Sequence, residues 1–166
     1  YAPKNYTQTY AGAVPARTAI SRSLNVPAVR MLRQFGIGKF HALLGGLGMS
    51  TLHRSASNYG LSLILGGAEA RLWDLCGMYG QLAHQLKHQG RKTENDWTSL
   101  SYLSKSEKPE ETSRPKILSN GVIYEMFEAM AQVSRPDAQS GWADFLSRRQ
   151  VAWKTGTSFG QRDAWA

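Results

Sequence analysis

Across residues 72–86 the apolar positions recur at helical spacing: Leu72, Leu75, Cys76, Tyr79, Leu82, Ala83 and Leu86. A helix with such a stripe is stable only when the stripe is covered, so the chain must build a packed, partly helical core around it. Other segments offer partners. Residues 16–23 suit a short helix, and Pro27 stands where a first-turn proline opens the next. That second helix carries Val29, Leu32 and Arg33 on successive turns and is expected to stop at Gly36. Residues 39–44 read as a further short helix ending in Gly45-Gly46. Ser119 is placed to cap a helix reaching about Val133, with Val122, Ile123, Met126, Phe127 and Met130 on one face. Residues 61–67, LSLILGG, suit either a strand or a buried turn. Residues 1–12 read as an extended lead-in and residues 89–114 as a polar, exposed excursion with a hairpin around 97–103. Residues 135–141 read as loop and 142–148 as a short amphipathic helix.

The last segment has a different pattern. Residues 151–158, VAWKTGTS, read as a strand, and 163–166 begin another. Helices first and antiparallel strands last give an α+β, mixed architecture. On a strand, Lys154, Gly156 and Ser158 share one face, and Thr155 and Thr157 the other. Gly156 lets a ligand backbone approach, and a peptide-like ligand could add alongside as an extra strand. The threonine hydroxyls can hold a carboxylate, Lys154 adds positive charge, and the Thr157 N–H can face an oxyanion if this is an edge. A bare Lys-Thr-Gly also recurs by chance on surface strands. Five residues, KTGTS, after an apolar run and before a glycine turn are more specific.

Composition limits the partners. Lys and Arg number 20 against 12 Asp and Glu, a formal charge of +8, which suits an anionic partner or simply a soluble basic surface. The arginines are scattered along the chain, Arg22, Arg30, Arg33, Arg91, Arg148, Arg149 and Arg162, without a nucleic-acid motif. A basic nucleic-acid-binding module is therefore the weaker alternative. The single cysteine, Cys76, can form no internal disulfide and reads as a buried small hydrophobe. His84 and His88 are spaced i,i+4 with no acidic ligand nearby, which argues against a metal site. No run approaches the roughly twenty apolar residues of a membrane span. No signal segment is visible, and the chain opens without Met, as an excised piece would.

Lys-Thr-Gly is one of three elements of the penicilloyl-serine transferase site, beside a Ser-x-x-Lys nucleophile and a Ser-x-Asn loop. Ser23-Leu24-Asn25 fits the loop and lies between two expected helices. Three blocks in order, AISRSLNVPAVRML, LSLILGGAEARLWDLCGMYGQLA and AWKTGTSFGQRDAWA, resemble the transpeptidase domain of class A penicillin-binding proteins. The resemblance covers nearly the whole chain and is weakest over 89–114.

That resemblance implies the β-lactamase/transpeptidase-like fold, here its helical part and edge strands with the sheet cut at the C-terminus. It implies acyl transfer on D-Ala–D-Ala stem peptides of peptidoglycan, inhibited by β-lactams, with no metal or organic cofactor and no nucleic acid. The catalytic set becomes Ser23 for proton relay, Asn25 for the substrate amide and Lys154. The substrate-binding set becomes Thr155, Gly156 and Thr157. The one literal Ser-x-x-Lys, Ser113-Arg114-Pro115-Lys116, is rejected because Pro115 keeps Arg114 out of the helical region. It also follows Ser-x-Asn where the family has it first. Residues 1–166 thus read as a partial domain whose nucleophile and membrane anchor lie upstream, on the periplasmic face of the bacterial inner membrane. A serine β-lactamase or β-lactam sensor is the alternative within the same fold.

Overall fold

The computed structural model describes residues 4–5, 10, 12–88, 116–133, 151–157 and 164–165. These residues are mostly helical. The helices are α1 (Ala16–Ser21), α2 (Asn25–Phe35), α3 (Ile37–Gly46), α4 (Ala56–Tyr59), a 3₁₀ helix (Gly60–Leu65), α5 (Leu72–Lys87) and α6 (Asn120–Ala131). Strands β1 (Gly156–Thr157) and β2 (Ala164–Trp165) pair antiparallel, Gly156 opposite Trp165 and Thr157 opposite Ala164.

Two apolar clusters hold the helices. In the first, Leu47, Met78, Leu82 and Ile123 are buried, and Leu43, Leu75, Leu86, Met126 and Phe127 pack on them. On α5 the face covered by α6 and the end of α3 is Leu75, Met78, Leu82 and Leu86, while Leu72, Cys76, Tyr79 and Ala83 of the expected stripe are exposed. In the second, Leu32, Tyr59 and Leu63 are buried beneath Ile37, Phe40, Leu44 and Leu52. Helix α3 joins the two, giving Leu43, with Leu47 just past its end, to one and Phe40 and Leu44 to the other. A Cβ added at Gly46 would lie 2.8 Å from Ile117 Cδ1, so α3 meets the approach to α6 closely at that glycine. Gly36, at φ +102°, turns the chain between α2 and α3. Polar ties reinforce the packing: Asp74 Oδ2 accepts from the N–H of Ser50 at 2.9 Å and its hydroxyl at 2.6 Å. Gln85 donates to the carbonyl of Leu118 at 2.8 Å.

Several expectations hold. A helix spans the expected segment as α5, α2 stops at Gly36, and Ser119 caps α6 by accepting from the N–H of Val122. Others are corrected. Residues 61–67 form neither a strand nor a simple turn, because Gly60–Leu65 winds into a 3₁₀ helix that buries Leu63. Cys76 is exposed, because α5 is rotated to bury Met78 and Leu82. Of the expected strand over 151–158, the described residues 151–157 are laddered only at Gly156–Thr157. Upstream, the Trp153 N–H donates to the carbonyl of Met130 at 3.4 Å, so it bonds a helix end and not a sheet neighbour. The expected hairpin at 97–103 and the helix at 142–148 lie outside the described residues.

Ile123 is 0% exposed and sits at the junction of α5 and α6. Ile123→Ala is expected to lose about 2–5 kcal/mol in urea unfolding. Val122→Ala, next to it but 53% exposed, should stay within about 0.5 kcal/mol of the parent.

Candidate active site

The turn from α1 into α2 closes with paired backbone bonds. The N–H of Ser23 donates to the carbonyl of Ile20 at 3.1 Å, and that of Leu24 to Ala19 at 2.9 Å. These bonds form a Schellman motif, which places its C′ residue in the left-handed region and usually takes glycine there. Here the residue is Ser23, at φ +52°, and among the described residues no other non-glycine has positive φ. A side chain in that conformation costs roughly 1–2 kcal/mol. Such strain persists where the surroundings enforce it, and it clusters at functional sites.

Lys154 arrives from the other end of the chain, 131 residues away, and its Nζ donates to Ser23 Oγ. It also donates to the carbonyl of Thr155 at 2.7 Å. The preceding Trp153 fixes this approach. Its indole Nε1–H donates to the carbonyl of Val133 at 3.1 Å, beside its backbone bond to Met130. The C-terminal end of α6 therefore carries Lys154. Helix α6 also lies against α1, and Arg17 of α1 pairs with Glu125 of α6 at 2.7 Å. Both halves of the Ser23–Lys154 pair are thereby mounted on one pair of packed helices.

Lys154 is half-buried, and desolvation pushes its ammonium below the ordinary value of 10.5. A lysine so placed releases a proton more readily than one in water. With a serine hydroxyl on its nitrogen, the pair can take up a proton and pass it on.

The other expected residues fall around this pair. Asn25 opens α2, and its side-chain Nδ2 donates to the main-chain carbonyl of Lys4 at 3.1 Å. Thr155 and Gly156 lie on the open surface, and a Cβ added at Gly156 would meet nothing within 4 Å. That space fits the close backbone approach expected there. Thr157 contributes its main chain to β1, and β1 has one neighbour strand, β2, among the described residues. Sequence reasoning missed Asn5, which is 7% exposed and accepts from the N–H of Val26 through Oδ1 at 3.1 Å. The signal for it was indirect: Leu24, the residue preceding α2, has no side-chain acceptor with which to cap that helix.

Among the described residues no group of three His, Cys, Asp or Glu side chains is arranged to hold a metal ion. The rings of His84 and His88 lie 4.3 Å apart at the end of α5. No described helix is long and apolar enough to cross a membrane.

The chain is 34% identical over 167 aligned residues to penicillin-binding protein 1C of Escherichia coli (strain K12), a match covering 100% of this chain and 20% of that protein. The chain is related to the penicillin-binding proteins. Penicillin-binding protein 1B of Vibrio cholerae is 27% identical, with 99% of this chain and 21% of the relative aligned. Penicillin-binding protein 1A of Neisseria cinerea is also 27% identical, again over 99% of this chain and 21% of its own length. The resemblance carried by the three sequence blocks is thus borne out, and the chain spans about a fifth of the length of these penicillin-binding relatives. No protein-family model matches the chain, and no solved structure matches it.

The lowered Lys154 pKa has a stability consequence with a definite sign. Between the folded pKa and 10.5 the unfolded chain holds a proton at this lysine that the folded chain has released. Stability from this group therefore rises with pH toward 10.5. Lys154→Met should remove that rise, which urea titrations of both proteins at pH 8 and pH 10 would measure.

Proposed function

We propose that the chain is part of a serine-type D,D-transpeptidase that cross-links peptidoglycan stem peptides in cell-wall synthesis and is acylated by β-lactams. The observation that carries this reading is the contact between Ser23 and Lys154. The two motifs that the family resemblance assigns to one site lie at opposite ends of the chain, and they meet through the side chains the chemistry requires. The strained Ser23 backbone and the desolvation that lowers the Lys154 pKa are in keeping with it.

In this reading a serine outside the 166 residues is the nucleophile, since no Ser-x-x-Lys precedes Ser23. Residues 1–166 are then a partial transpeptidase domain of the β-lactamase-like fold, in a protein working at the periplasmic face of the bacterial inner membrane. The nucleophile attacks the carbonyl carbon between the two D-alanines, the peptide C–N bond breaks, and the terminal D-Ala leaves as an amine that must gain a proton. The nucleophile's hydroxyl gives up its proton as it attacks, and Ser23 and Lys154 pass a proton on to that amine. The amine of a second stem then attacks the acyl ester, its proton passes to the departing serine oxygen as the C–O bond breaks, and the amide cross-link forms. The Asn25 amide holds the substrate amide. Lys154 and the Thr155 and Thr157 hydroxyls receive the terminal carboxylate, and Gly156 leaves room for the stem backbone. The Thr157 N–H faces the oxyanion.

Intact-mass analysis after incubation with a penicillin tests this. A chain extended upstream through the relatives' Ser-x-x-Lys segment should gain one penicilloyl group, and the 166-residue chain should gain none. Lys154→Ala in the extended chain should slow acylation about 10²–10⁴-fold. Acylation of the 166-residue chain itself would overturn the site assignment, and no labelling of the extended chain would overturn the transpeptidase reading.

A further inference from the structure

We propose that Asn5 is a positioning residue for the Ser23–Lys154 pair, acting with the Lys4 carbonyl as a latch on the turn that presents Ser23. The role assigned to the pair rests on the transpeptidase reading above; the latch itself rests on geometry.

The turn from Ser23 to Asn25 is fastened on its α1 side by the Schellman bonds. Its α2 side has no such fastening of its own. Leu24 offers no side-chain acceptor, and Pro27, in the first turn, has no N–H to use. The N–H of Val26 needs an acceptor from elsewhere, and Asn5 Oδ1 supplies it at 3.1 Å. One residue earlier, the Lys4 carbonyl accepts from Asn25 Nδ2 at 3.1 Å. Two adjacent residues of the lead-in thus bond two adjacent residues of the α2 start. Asn5 is the buried polar residue among those described, so its amide occupies a place where a mismatched side chain would be costly. Ser23 lies two residues before Asn25 in a left-handed conformation, which persists only while its surroundings hold it. The latch holds the start of α2, and through it the Ser23 hydroxyl, where Lys154 Nζ can reach.

The test reads distance and not acylation, so it can fail while the transpeptidase reading stands, and the reverse. The nuclear Overhauser cross-peak between the Lys154 Hε and Ser23 Hβ protons is measured in the 166-residue chain, with amide spectra confirming the fold. Asn5→Ala should lose this cross-peak while the helical core stays folded. Asn5→Asp keeps an oxygen acceptor for Val26 and should retain it. If Asn5→Ala does not fold, Asn25→Ala, which removes the bond to Lys4, should weaken the cross-peak in its place. Retention of the full cross-peak in a folded Asn5→Ala or Asn25→Ala chain would overturn the proposal. So would its loss in both Asn5→Ala and Asn5→Asp, since the acceptor would then not be what holds the turn.

Discussion

The hydrogen bond from Lys154 to Ser23 joins two ends of the chain, and the arrangement of the site depends on it. Bringing together groups 131 residues apart carries a loop-closure entropy that one partly exposed hydrogen bond could not offset alone. The helix packing offsets that cost. Met78 and Leu82 of α5 bury against α6, α6 packs on α1, and Trp153 bonds the carbonyls of Met130 in α6 and of Val133 just past it. The large apolar contacts therefore set the position of the small polar one.

Two features work against stability at this point, and both suit chemistry. A serine occupies a helix-terminating position whose backbone favours glycine. A lysine lies where desolvation disfavours its charge. Glycine at the first position and an apolar residue at the second would each be less costly. Proteins keep such arrangements where the side chains have work to do. Proton relay is work that needs a hydroxyl and an amine in contact.

Much of this was legible in the sequence because it depends on local rules. The existence of helix α5, the Ser119 cap and the Gly36 stop each follow from a few neighbouring residues, and the structure has them where the pattern puts them. The Ser-x-Asn turn between α1 and α2 was legible for the same reason. What failed was set by distant contacts. Cys76 fits the helical stripe, yet the rotation of α5 that buries Met78 and Leu82 leaves it exposed. The apolar run before Gly66 became a 3₁₀ helix because Leu63 packs beside Leu32 and Tyr59. Residues 151–155 look like strand from their own composition, but Trp153 bonds to α6. Asn5 was invisible because its partner lies 21 residues on, at a helix start whose own residue supplies no cap.

The central claim is that Ser23 and Lys154 form one interacting unit. A double-mutant cycle tests it most directly: the chain, Ser23→Ala, Lys154→Met and the double variant, each unfolded in urea at fixed pH. If the two side chains interact, the two single effects should fail to add by about 0.5–3 kcal/mol. Additivity within about 0.3 kcal/mol, the behaviour of independent sites, would contradict it.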